Sequence, residues 1–145
     1  MTYLGIDIGT SGVKALLIDA HGRALGEASA AAVEPTRPHP GWSEQNPADW
    51  WKATLEAIDR ELGKGPFHYR YSGAEKEEGC FLACSYWMVE AWAILGQAGE
   101  ARQRLTGLDR ALEHGAGVLS EMIDPATGAY LGNMPQGLSH LAHIM

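Results

Sequence analysis

Gly63-Lys64-Gly65-Pro66 divides the chain into two kinds of text. Two glycines and a proline within four positions break a helix or strand that runs into them. Ahead of the cluster lie short apolar stretches separated by turns, then one helical stretch. Behind it lie helical stretches joined by long loops. The expected fold is α+β: a small antiparallel sheet with one helix, followed by an all-helical segment. The 145 residues suit about one domain, and an apolar content of 46% is enough for a core.

The front half begins with two apolar stretches, residues 3–8 and 13–19, joined by Gly9-Thr10-Ser11-Gly12. This pattern predicts a β-hairpin. Glycines at both ends of the turn allow positive φ and close approach of a ligand to the backbone. Free turn amides and two hydroxyls suit an anion. Asp7 then makes sense beside that anion if a cation such as Mg²⁺ lies between them; otherwise it is a solvated carboxylate on an ordinary hairpin. His21-Gly22 predicts a second turn, and residues 23–33 a third strand. Pro35, Pro38 and Pro40 enforce an extended loop. Asn46 suits an N-cap, Pro47 the first helical position and Asp49 the positive end of the helix dipole. Trp51, Leu55, Ile58 and Leu62 recur at helical spacing and are expected to pack on the sheet.

The order strand, Asp-x-Gly-Thr turn, strand, Asp19, turn, strand resembles the first phosphate-binding element of FGGY-family sugar kinases. Gly41-Trp42-Ser43-Glu44-Gln45-Asn46-Pro47-Ala48-Asp49-Trp50-Trp51 is similar to the same family's text. The resemblance covers residues 1–62 and implies part of an actin-like ATPase lobe. It implies Mg-ATP as cofactor, with its phosphates at Asp7, Gly9, Thr10 and Ser11 and the metal organised indirectly by Asp7. The family's catalytic base, sugar contacts and adenosine pocket are expected further along a kinase chain than this segment reaches.

Behind the 63–66 junction, residues 80–95 are apolar nearly all round, which predicts a helix buried on every side. Residues 100–114 carry Ala101, Leu105, Leu108 and Leu112 on one stripe. Residues 118–135 are expected to be a loop and 136–145 to start a last helix. Cys80 and Cys84 stand four apart on the expected buried helix and are expected to be core thiols. His140 and His143 share a face of the last helix without a third metal ligand. Glu121 sits among apolar residues. It is either a solvated loop carboxylate or a general base.

Glu78-Gly79-Cys80-Phe81-Leu82-Ala83-Cys84-Ser85-Tyr86-Trp87, Leu119-Ser120-Glu121, Ile123-Asp124-Pro125-Ala126-Thr127-Gly128 and Leu131-Gly132-Asn133-Met134-Pro135-Gln136 follow in that order. Together they resemble the end of the catalytic domain of glycoside hydrolase family 15, the glucoamylase and trehalase family. The resemblance covers residues 65–145. It implies part of an α/α toroid, an inverting reaction without cofactor, and Glu121 as the base that activates water. Such a reaction pairs that base with an acid roughly 6.5–9.5 Å away, and the family's acid is expected upstream of this segment.

The resulting expectation is a hybrid of two carbohydrate enzymes, lacking essential parts of each and inactive as it stands. The alternatives are a sugar kinase, an α-glycosidase and a non-enzymatic fusion remnant. A small carbohydrate is the expected partner. A net charge of −7 without a basic stripe argues against nucleic acid and anionic membranes. Absence of a signal-like start and only two cysteines fit a reducing, cytoplasmic setting.

Overall fold

The computed structural model of the protein describes residues 2–144, except for the side chain of Lys76. Met1 and Met145, the latter expected in the last helix, lie outside the described residues. The fold is α+β and divides into two compact units, Met1–Glu61 and Leu62–Met145.

The first unit is an antiparallel sheet of β1 (Thr2–Ile8), β2 (Gly12–Asp19) and β3 (Ala24–Ala31), in that order, with α1 (Pro47–Leu62). Register pairs Ile8 with Val13 and Val13 with Ala30, so each row alternates faces along the strand. One face carries Leu4, Ile6 and Ile8 on β1, Val13 and Ala15 on β2, and Ala28 and Ala30 on β3. The β2–β3 turn is held by Asp19, whose Oδ1 accepts the His21 and Arg23 amides at 2.8 and 2.9 Å. The Arg23 amide is the main cause of the lowered Asp19 pKa.

Asn46 caps α1: its Oδ1 accepts the Ala48 amide at 3.1 Å. The helix stripe corrects the sequence expectation. Leu55 of that stripe is buried as expected, but Ala53 and Ala57 form the core with Val13, Ala28 and Ala30, while Trp51 is 58% exposed. Alanines four apart on the helix, facing alanines two apart on β3, let backbone approach backbone closely. A Trp in that row would hold the helix off the sheet.

The second unit is mostly helical, as expected, with three short strand pairings that the expected all-helical segment did not include. The breaker cluster is itself a hairpin, β4 (Gly63–Lys64) against β5 (Phe67–His68), turning at Gly65 with φ 60°. Chain segments far apart in sequence then form a three-stranded sheet, β6 (Cys80–Phe81), β7 (Met122–Ile123) and β8 (Tyr130–Leu131). Two-residue strands leave no readable alternation, so the sequence shows β7 and β8 only as loop and takes β6 into the helix that follows. Gly79 is required beside this sheet: a Cβ there would lie 2.5 Å from the Ile123 carbonyl oxygen.

The helices are α2 (Leu82–Ile94), α3 (Ala98–Leu112) and α4 (Gly137–Ile144). The core joins Phe67, Phe81, Leu82, Tyr86, Leu108, Leu112, Leu119 and Ile123. The α3 stripe is as expected, with Ala101, Leu108 and Leu112 buried and Leu105 packed at the margin. Helix α2 departs from expectation, because Trp87 and Ile94 are exposed. Cys80 lies on β6 rather than on the helix with Cys84. Both thiols are free; Cys80 is fully buried, and burial pushes its pKa up to about 11.

Candidate functional sites in each unit

In the first unit the residues singled out from sequence meet at the β1–β2 turn. The Gly9 amide donates to the Gly12 carbonyl at 2.9 Å, which closes the hairpin and removes one amide from any anion nest. Neither glycine adopts positive φ, contrary to expectation. Gly12 is needed for another reason: a Cβ would lie 2.8 Å from the Ala30 carbonyl oxygen. The amides and hydroxyls of Thr10 and Ser11 have no partner among the described residues. Asp7 lies opposite Lys14 in register, but Lys14 Nζ pairs with Glu27 Oε1 at 2.8 Å. The Asp7 carboxylate is thus exposed and uncommitted among the described residues.

Gln45 positions this turn, and sequence reasoning assigned it no role. Its Nε2 donates to the carbonyls of Thr10 and Val33 at 2.9 and 3.0 Å. Its Oε1 accepts the Trp50 indole N–H at 3.3 Å. One amide therefore ties the turn, the strand end and the helix start together.

In the second unit Glu121 immediately precedes β7. Its own amide donates to the Asn133 carbonyl at 2.8 Å, and its carbonyl accepts the Leu82 amide at 3.1 Å. The preceding residues are equally fixed. Leu119 O accepts the Gln136 amide at 2.9 Å, and Leu119 N donates to His140 Nε2 at 3.1 Å. Ser139 Oγ donates to the buried Ser120 carbonyl at 2.8 Å. The segment that carries the carboxylate is thereby locked from several elements.

The carboxylate itself is gripped on one oxygen. Glu121 Oε2 accepts the Asn133 Nδ2 and backbone amide hydrogens at 2.9 and 3.2 Å. Its Oε1 has no partner among the described residues. Gly132 makes room for the grip: its φ is 72°, and a Cβ would lie 2.7 Å from Oε2. Both Gly132 and Asn133 stand in the motif text, yet no periodicity marks them; a Gly-Asn pair opposite a lone loop carboxylate is the one usable signal.

The other nearby carboxylates are committed. Glu78 makes a two-point pair with Arg70, whose Nε donates to Oε1 at 2.7 Å and whose Nη2 donates to Oε2. That hydrogen-bonded pairing raises the Arg70 pKa, with a small contribution from the charge of Glu121. Asp124 Oδ2 accepts the Thr127 hydroxyl at 2.7 Å, and Oδ1 accepts the Ala126 amide at 2.9 Å. The Thr127 hydroxyl bond first, then the Ala126 amide, holds the Asp124 carboxyl below its usual range. The Ile-Asp-Pro-Ala-Thr-Gly text is thus a turn device between β7 and β8. The two histidines of α4 have separate tasks: His140 accepts the Leu119 amide, while His143 lies 3.7 Å from Asp109 and tilts against the Tyr86 ring.

Residues 2–67 match the FGGY family of carbohydrate kinases, N-terminal domain. Over 56 residues the chain is 48% identical to the xylulose kinase of Escherichia coli K12, covering 39% of this chain and 11% of that one. Over 102 residues it is 36% identical to the trehalase of Mycolicibacterium smegmatis, covering 64% of this chain and 15% of that one. A solved xyloylose kinase from Brucella ovis is 55% identical over 41% of this chain and 12% of its own, with a TM-score of 0.39. The chain therefore spans a small part of the length of each relative. Its first part is similar to the opening domain of FGGY carbohydrate kinases and its later part to trehalases, two unrelated kinds of sugar enzyme met in one chain.

Proposed function

We propose that the chain serves carbohydrate metabolism and that its second unit carries the base side of an inverting α-glycosidase site. Glu121 is the group that takes a proton from the attacking water. The single observation behind this reading is the one-sided grip: Asn133 holds Oε2, while Oε1 is uncommitted among the described residues. A carboxylate oriented through one oxygen presents the other to a water at a fixed position. The substrate class is a small α-glucoside, and the setting is cytoplasmic.

The proton donor is the part that this arrangement does not supply. A general acid needs a raised pKa so that it holds its proton near neutrality. Asp124 is shifted the other way, and Glu78 is tied to Arg70. The acid must then come from polypeptide beyond these residues, and the chain alone is expected to release no glucose from trehalose or maltotriose. Binding separates the parts of this reading. Trehalose is expected to shift the amide resonances of residues 119–133 in the chain, less so in Glu121→Gln. Resonances that trehalose leaves in place, or moves equally in Glu121→Gln, would remove this reading.

A second reading is favoured by the uncommitted groups at the β1–β2 turn. Asp7, Gly9, Thr10 and Ser11 would hold the phosphates of Mg-ATP, with two amides and two hydroxyls as donors. The bound nucleotide would supply the transferable phosphoryl group, whose chemistry rests on positioning and charge stabilisation. Titration calorimetry with Mg-ATP tests it; no heat with the chain, or heat unchanged in Asp7→Ala, removes it.

A further inference from the structure

The two edges of the first unit's sheet differ. On β3 the outward row includes Ser29, because the Ala32 amide donates to the Ser11 carbonyl, which in this register makes Ala30 and Ala28 the residues bonded to β2. The Ser29 carbonyl is taken by the Arg60 guanidinium from α1. That edge is blocked at its middle. On β1 the Gly9–Gly12 hydrogen bond fixes which residues face β2: Gly9, Asp7, Gly5 and Tyr3. The backbone groups of Thr2, Leu4, Ile6 and Ile8 face outward, and no bond to them occurs among the described residues. The side chains of Leu4, Ile6 and Ile8 are 58%, 44% and 46% exposed on the face that α1 covers over β2 and β3. A seven-residue edge with open backbone groups and one charge is a template for strand pairing.

We propose that the occupant of this edge is the β1 strand of a second copy of the chain, paired antiparallel about Gly5. The register follows from three constraints. Only the even-numbered residues offer outward backbone groups, so even must oppose even. Full overlap of Thr2–Ile8 pairs Leu4 with Ile6 of the second copy and Thr2 with Ile8. Asp7 then opposes Tyr3, whereas the pairing centred on Asp7 would place two carboxylates together and lose most of the overlap. In the chosen register the Leu4 and Ile6 side chains of both copies form one apolar patch beside the two α1 helices. The result is a two-fold, closed interface. Pairing β1 with β3 of the next copy would instead propagate without end, and Arg60 stands in its way.

The charge of −7 on each copy opposes association, so the dimer is expected to tighten as salt rises. Sedimentation of the full chain over a range of concentrations tests the proposal. A monomer–dimer equilibrium is expected. Ile6→Lys, which sets two like charges at the centre of the patch, is expected to weaken it by on the order of 100-fold or more. Ile6→Pro removes an amide that the dimer uses and β2 does not, and is expected to do the same with the far-ultraviolet spectrum kept. Gly5→Cys reads the register directly. Its Cβ has room, the nearest atom being the Leu16 carbonyl oxygen at 3.9 Å. Two such cysteines would face each other as a non-hydrogen-bonded pair, with Cα atoms about 4.5 Å apart, within disulfide reach. Fast oxidation to a linked dimer is expected for Gly5→Cys, against slow linkage for Leu4→Cys and for the parent chain. A chain that stays monomeric, grows beyond the dimer, ignores Ile6→Lys, or links as fast through Leu4→Cys overturns the proposal. If Ile6→Pro disturbs the fold, the cysteine pair decides.

Discussion

The first unit closes its sheet against its helix with Val13, Ala28, Ala30, Ala53 and Ala57, whereas the second closes over Phe67, Phe81, Leu82, Tyr86, Leu108 and Ile123. Each large side chain taken fully from water is worth about 1.5–3 kcal/mol, and each methyl about 0.8 kcal/mol. The first unit thus draws little from its core and leaves three of its larger side chains, Leu4, Ile6 and Ile8, about half exposed. The difference is one of coverage rather than composition. Both units are rich in apolar residues and both leave some exposed, but only the second gathers large side chains from several elements into one core.

The largest expected effect tests that contrast directly. Leu82→Ala or Ile123→Ala should cost about 2–5 kcal/mol by urea unfolding, because both side chains are fully buried. Val13→Ala should cost only about 1–2 kcal/mol, by the smaller loss of buried carbon. Equal losses would break the comparison.

Next comes the Glu121 grip. Gly132→Ala forces a side chain into a left-handed backbone and against Oε2, at a cost of roughly 1–3 kcal/mol. The Asn133 side-chain amide resonances should move with it. Unchanged resonances would mean that the grip does not depend on the glycine.

A pH scan sharpens the comparison further. The folded pKa of Cys80, about 11, lies above the ordinary 9.0. Its contribution is fully present below pH 9.0 and is lost as pH rises through about 11, since the unfolded thiol ionises first. Tyr86, pushed up to about 12 by burial, extends the loss. Stability of the second unit should fall over this range, and less steeply in Cys80→Ala. The smallest effect is expected at Trp51→Gln, within about 0.5 kcal/mol, because the ring is largely in solvent.

The β1–β2 hairpin, the Asn46 cap and the α3 stripe were legible because each follows from neighbours within a few residues. Alternation, a capping side chain and a helical repeat are local signals. The α1 face was misread because two stripes were available, and size chose between them: Ala53 and Ala57 admit close packing that Trp51 does not. The β6–β7–β8 sheet was illegible because it joins residues 80–81 to 122–123 and 130–131, and two-residue strands carry no periodicity. Glu121 was singled out through its motif, but its holder was not. Asn133 meets it only when β7 and β8 pair.

By itself the chain text determined the local elements of the front half and the two sugar-enzyme likenesses. Tertiary structure alone decided which helix face is buried, which sheet edge is blocked, and which oxygen of Glu121 is held. The reason is range. Turns, caps and stripes are set by energies between near neighbours. The Arg60 bond to Ser29 and the Asn133 grip on Glu121 join residues brought together only when the chain folds.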